Sequence, residues 1–129
     1  MTGEAYMGTS VAPGVVLCID DQEVPLMIRE LILSRAGYKV LTATCGEDAL
    51  ELFQQNHIDL VISDHLLPGR TGCQVAEEMK QLKPRVPVVL LSGLPEPPEG
   101  IEHADLFIVK GMTAPDFLAV IARLLATRS

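Results

Sequence analysis

The stretch VVLCIDD, Val15 to Asp21, is five apolar residues followed at once by two carboxylates. An unbroken apolar run of that length suits a strand buried on both faces, as in a parallel sheet, better than a half-exposed strand with alternating polarity. The same grammar recurs along the chain. DLVIS, Asp59 to Ser63, runs into Asp64; VPVVLL, Val86 to Leu91, runs into Ser92; LFIV, Leu106 to Val109, runs into Lys110 and Gly111. YKVLTA, Tyr38 to Ala43, reads as one more strand. Pro87 is tolerable only because it falls near the start of its run.

Helical patterns fill the gaps. Pro25 fits a first turn, where its missing N–H costs nothing. Ile28, Leu31, Ile32 and Arg35-Ala36 then follow three-four spacing to Gly37, so these are expected to form the buried face of the first helix. Gly46 to Asn56 is expected to bury Ala49, Leu50 and Phe53. Gly72 to Leu82 is expected to bury Val75, Ala76, Met79 and Leu82, with Pro84 stopping it. Thr113 to Thr127 closes the chain, with Thr113 as N-cap and Phe117, Val120, Ile121, Leu124 and Leu125 as its apolar stripe. Between Gly93 and Gly100 (GLPEPPEG) the helical rhythm fails, because three prolines in four positions leave no interior turn. Strands alternating with helices predict an α/β domain, a parallel sheet with right-handed crossovers and helices on both faces.

Composition narrows the function. The chain has 129 residues, enough for one domain, and 48% of them are hydrophobic with no Trp, so the core is aliphatic. A net charge of -7 disfavours nucleic acid, which needs clustered Lys and Arg. No stretch is apolar and long enough to span a membrane, and Met1 to Gly14 lacks both the basic start and the apolar core of a signal peptide. Residues 1–14 are expected to be a disordered lead-in to a domain over 15–129. Cys18, Cys45 and Cys73 are scattered and odd in number, which suits free thiols in a reducing, cytoplasmic compartment.

In an open α/β sheet the ligand site lies beyond the carboxyl ends of the strands. There the sequence places Asp20 and Asp21, Asp64, Ser92 and Lys110. Three converging carboxylates repel one another and call for a hard cation, and oxygen ligands suit Mg²⁺. A carboxylate can act as a nucleophile toward phosphorus, and phosphoryl transfer is mostly positioning and charge neutralisation, which a metal, an ammonium and a hydroxyl supply. Taken singly, the Asp20-Asp21 pair would be an ordinary helix-start charge pair and Lys110 a solvated surface lysine; the coincidence of all four strand ends is what points to Mg²⁺-dependent phosphoryl chemistry.

The motifs CIDD at Cys18–Asp21, SDHLLPGRTG at Ser63–Gly72, LSG at Leu91–Gly93 and FIVKG at Phe107–Gly111 together resemble the CheY-like receiver domain of two-component response regulators, over nearly the whole chain after Gly14. The resemblance implies a flavodoxin-like sheet of order 2-1-3-4-5. It implies that Asp64 is the phosphoacceptor, that Asp20, Asp21, Asp64 and the backbone carbonyl of Leu66 hold Mg²⁺, and that Lys110 pairs with the phosphoryl group. Ser92 matches the switch hydroxyl, Phe107 the switch aromatic, and Pro68 and Gly72 the loop shaping the acceptor turn. A histidine kinase or phosphotransfer protein is the implied donor and a downstream protein the implied target. No activity is expected beyond the domain's own phosphorylation and dephosphorylation.

Three departures from the family pattern stand out. Gly111 replaces the usual proline after the lysine, which implies a looser turn. The Ser92–Lys110 segment is short and proline-rich, so the family's fourth helix is expected to be short or missing. Leu66 and Leu94 occupy positions that in the family help to place the hydrolytic water, and both are apolar, which implies a long-lived phosphoryl group.

Because the chain ends just after its last helix, it is expected to act alone or as a piece of a larger protein. Two other classes fit the sequence less well. An aspartyl phosphohydrolase of the haloacid dehalogenase type needs a second Asp where Leu66 stands, and a nucleotide-binding domain needs a GxGxxG or Walker loop. A phosphate-independent interaction module remains the alternative. His57 reads as a helix-end residue, His65 and His103 as ordinary residues (His65 with a lesser reading as a neighbour tuning access to Asp64), and Arg70 as a surface loop residue.

Overall fold

The structure, a computed structural model, describes residues 14–127. Five strands, β1 (Val15–Ile19), β2 (Lys39–Ala43), β3 (Leu60–Asp64), β4 (Val88–Ser92) and β5 (Leu106–Val109), form one sheet. Its order is β2-β1-β3-β4-β5, all parallel, the flavodoxin-like arrangement. Four helices connect and close it: α1 (Glu23–Arg35), α2 (Gly46–Gln55), α3 (Gly72–Leu82) and α4 (Ala114–Thr127). The expected lead-in lies outside the described residues apart from Gly14, whose carbonyl accepts the Lys39 amide.

The continuous apolar runs are explained by two cores, one on each face of the sheet. Leu17, Ile19, Val61 and Val88 point toward Ala49, Leu50 and Phe53 of α2 and Val75, Ala76 and Met79 of α3. Val16, Cys18, Leu60, Ile62, Val89, Leu91 and Ile108 point toward Leu26 and Leu33 of α1 and Phe117 and Ile121 of α4. With a side-chain period of two, both parities of each strand are needed to fill both cores. β4 begins after Pro87, so that residue's missing donor is never required; its carbonyl still accepts the Val61 amide. Thr113 caps α4 as expected, its Oγ1 accepting the Asp116 amide at 3.3 Å.

Two buried faces differ from the sequence reading. On α1, Ile28 and Leu31 are exposed, and the residues buried are Leu26 and Leu33. This helix is apolar on nearly every side (Val24, Pro25, Leu26, Met27, Ile28, Leu31, Ile32, Leu33), so spacing alone does not choose a face. The face turned inward carries Leu26, Arg29 and Leu33, three- and four-residue steps that place a charged residue among the core positions. On α3, Leu82 is the last helical residue and is exposed, because the chain turns away from the sheet there.

Between β4 and β5 there is no α-helix. A single 3₁₀ turn, Ile101–His103, takes its place and packs on α3, with Gly100 directly over Cys73. The far end of this connection is clamped: Asp105 Oδ2 accepts the Val88 amide at 2.7 Å and the Lys80 ammonium at 2.8 Å.

Candidate functional site

The carboxyl ends of β1, β3, β4 and β5 meet at one edge of the sheet, and the parallel register brings their terminal side chains together. Asp20 follows β1, and its backbone amide bonds to Ala43 at the end of β2. Its carboxylate is almost wholly buried; Oδ1 accepts the Gln22 amide at 2.9 Å and Oδ2 accepts Arg29 Nη2 at 3.0 Å. Asp21 beside it is exposed. Asp64, the last residue of β3, is buried, and its Oδ1 lies 2.7 Å from Lys110 Nζ. Ser92 ends β4, and its carbonyl accepts the Lys110 amide at 2.8 Å, which fixes the lysine beside Asp64. The Ser92 hydroxyl is turned onto its own loop, accepting the Leu94 amide at 3.1 Å.

Carboxylate oxygens of Asp20, Asp21 and Asp64 lie within 4.8 Å of one another. An all-oxygen set of this kind, two carboxylates buried and one open to solvent, fits a hard divalent cation that keeps part of its water shell. Leu66, two residues beyond Asp64, is exposed and bridged to Thr71 across the turn that follows β3. That turn is tight. A Cβ on Gly72 would sit 2.6 Å from the Asp64 carbonyl oxygen and 2.8 Å from Leu90 Cδ2, so only glycine lets α3 start this close to the strand end. Thr71 and Gln74 form a capping box that holds the start of α3.

Phe107 is half-buried, paired with Leu90 and on the opposite side of β5 from Ile108, which faces the α1–α4 core. Leu94 is exposed two residues beyond Ser92. Gly111 adopts φ +114°, a backbone conformation the proline common in the family cannot reach. His65 and His103 line a shallow cleft with Cys73 and Glu77, on the α3 side of the turn. His57 bonds to Asp59, and Arg70 pairs with Glu78 on α3. The residue that sequence reasoning missed is Arg29. Its signal was an arginine at a position three after Leu26 and four before Leu33, but a charged residue is ordinarily assigned to the outer face of a helix.

A sequence model of the response regulator receiver domain matches residues 16–122. The chain belongs to that family. Among relatives of this receiver domain, the autoinducer 1 sensor kinase/phosphatase LuxN of Vibrio campbellii is 38% identical over 78 residues, 60% of this chain and 9% of LuxN. The alkaline phosphatase synthesis transcriptional regulatory protein PhoP of Bacillus subtilis is 31% identical over 100 residues, 78% of this chain and 42% of PhoP. The chain thus spans less than half the length of either relative. Among solved structures, the response regulator TrrA from Thermotoga maritima, in complex with Mg²⁺ and BeF, superposes with a TM-score of 0.81 at 28% identity, covering 86% of this chain and 98% of that one. The receiver fold and the two-component signalling class read from the motifs therefore stand. No helix among the described residues is long and apolar enough to cross a membrane.

Proposed function

We propose that this receiver domain is a phosphoacceptor switch in which Asp64 takes a phosphoryl group from a phosphohistidine of a kinase or phosphotransfer protein in the cytoplasm. The observation that carries the reading is the Asp64 carboxylate, buried yet reachable, with Lys110 at 2.7 Å on one side and the Asp20–Asp21 pair on the other. An oxygen of Asp64 attacks phosphorus, the P–N bond to the donor imidazole breaks, and the leaving nitrogen takes up a proton. Lys110 Nζ is placed to shift from the free carboxylate to a phosphoryl oxygen. Asp20, Asp21, Asp64 and the carbonyl of Leu66 would hold Mg²⁺, whose contribution when bound is to neutralise phosphoryl charge.

The switch is carried by Ser92 and Phe107. The Ser92 hydroxyl leaves the Leu94 amide to bond the phosphoryl group, and the loop after β4 follows it. Phe107, one strand over and only half-covered, moves inward behind it. With a 3₁₀ turn where a helix would stand, the change reaches a downstream protein through the 93–105 connection and α4.

Beryllofluoride, a mimic of the acyl phosphate, tests the site directly. A bound ¹⁹F resonance is expected for the wild-type domain only when Mg²⁺ is present, and is expected to vanish in Asp64→Asn. A bound signal that survives the substitution, or that never forms, contradicts the reading.

A further inference from the structure

Arg29 is the feature of the site that the phosphoacceptor reading does not use. It stands on the inner face of α1 between Leu26 and Leu33, its side chain is only 12% exposed, and Nη2 lies 3.0 Å from Asp20 Oδ2. Its Nη1 is buried with no hydrogen-bond partner. A buried donor left unpaired is unfavourable, and so is a buried guanidinium without a counter-charge. Arg29 has its counter-charge in Asp20, and the unpaired Nη1 is tolerated because Asp20, itself buried, would otherwise face Asp21 and Asp64 with no cation of its own. Lys110 offsets Asp64 and Arg29 offsets Asp20, so the cluster is left with one uncompensated carboxylate rather than two.

We propose that Arg29 is a resident counter-ion that competes with the divalent cation for Asp20. It is a positioning residue, not a catalytic one, and the inference rests on the metal-dependent reading above. In the metal-free protein it holds the acidic cluster together. When a cation binds, its fixed positive charge, one side chain away, opposes the incoming charge, so Mg²⁺ occupancy is weaker than the same carboxylates would otherwise give. Each Asp20 oxygen already accepts one hydrogen bond, from the Gln22 amide and from Arg29, so a cation reaching Asp20 must share Oδ2 with the guanidinium or approach the remaining lone pairs.

Arg29 borders an open, mostly apolar pocket of about 290 Å³ between α1 and α4 whose only other charged lining residue is Lys110, so the guanidinium has no better partner there than Asp20. The domain would be loaded with metal only when Mg²⁺ is plentiful or when the phosphoryl group adds its own negative charge.

The test is isothermal titration of the full chain with MgCl₂, comparing wild type with Arg29→Gln, which keeps a hydrogen-bond donor, and Arg29→Lys, which keeps the charge. Removing the charge should tighten Mg²⁺ binding by about tenfold or more, whereas Arg29→Lys should stay within about threefold of wild type. A merely structural arginine would give weaker or unchanged binding in Arg29→Gln. As a measurement that needs no variant to fold, the Arg29 Nε–Hε resonance of the wild-type protein should move in step with Mg²⁺ saturation. Wild-type binding that Arg29→Gln does not improve, or an Arg29 resonance indifferent to Mg²⁺, overturns this inference and leaves the phosphoacceptor reading standing. No Mg²⁺ binding by any of the three proteins overturns both.

Discussion

Asp64 has a lysine for a neighbour, and the apolar Leu66 and Leu94, two residues beyond Asp64 and Ser92, bear on how long a phosphoryl group is expected to stay. Leu66 and Leu94 are both exposed, each two residues into the loop that follows β3 or β4. Neither offers a polar atom to orient an attacking water, and general base or hydrogen-bond assistance is the ordinary route to fast hydrolysis. The acyl phosphate is therefore expected to persist for minutes or longer in decay of the labelled protein, and Leu66→Asn to shorten its life by roughly tenfold. A wild-type half-life of seconds would contradict this. Cys18 makes a second residue-scale prediction. Burial pushes its thiol up from 9.0 to about 12, against a smaller downward pull from Arg29 and a slight upward push from Glu30. A raised folded-state pKa means that the unfolded chain ionises first. The stabilising contribution is thus whole below about pH 9 and declines as pH climbs toward about 12. Urea melts should show wild type losing more stability across that window than Cys18→Val; equal losses would sink the assignment. The residues of the site were legible because they stand at strand ends, where position in sequence fixes position in space. Arg29 was not, since its role depends on which way α1 is rolled.

Among the elements, α1 shows where periodicity stops being informative. With apolar residues on nearly every side, the helix could present several faces, and the one chosen buries Leu26 and Leu33 and carries Arg29 to Asp20. Leu33→Ala should cost about 2–5 kcal/mol in denaturant unfolding, as expected for a fully buried leucine. Leu31→Ala, on the exposed side, should stay within about 0.5 kcal/mol. The reverse order would mean that α1 is rolled to bury Leu31 instead. By contrast the apolar residues of α2 cluster on one side, and Ala49, Leu50 and Phe53 are buried as read, with Leu52 half-buried beside them. The start of α3 offers a test of close approach. Gly72→Ala would drive a methyl group into the Asp64 carbonyl, so the variant should melt at lower temperature and accept beryllofluoride poorly. A variant as stable and as competent as wild type would show that the turn has slack the geometry does not reveal.

At the scale of the molecule, the order 2-1-3-4-5 followed from alternating strands and helices taken with the motif set, and the structure has it. The loss of the helix between β4 and β5 was equally legible, because prolines at 95, 97 and 98 forbid it in any context. What replaces the helix was not legible: the 3₁₀ turn, its seat over Cys73 and the Asp105–Lys80 clamp depend on contacts far apart in sequence. The central claim concerns the whole domain acting as one phosphoacceptor. Intact-mass spectrometry after incubation with acetyl phosphate, with and without Mg²⁺, on wild type and Asp64→Ala, tests it most directly. One added phosphoryl group is expected in wild type, dependent on Mg²⁺ and absent in Asp64→Ala. No addition under any condition, or addition that survives the loss of Asp64, would contradict it and leave the domain a phosphate-independent interaction module.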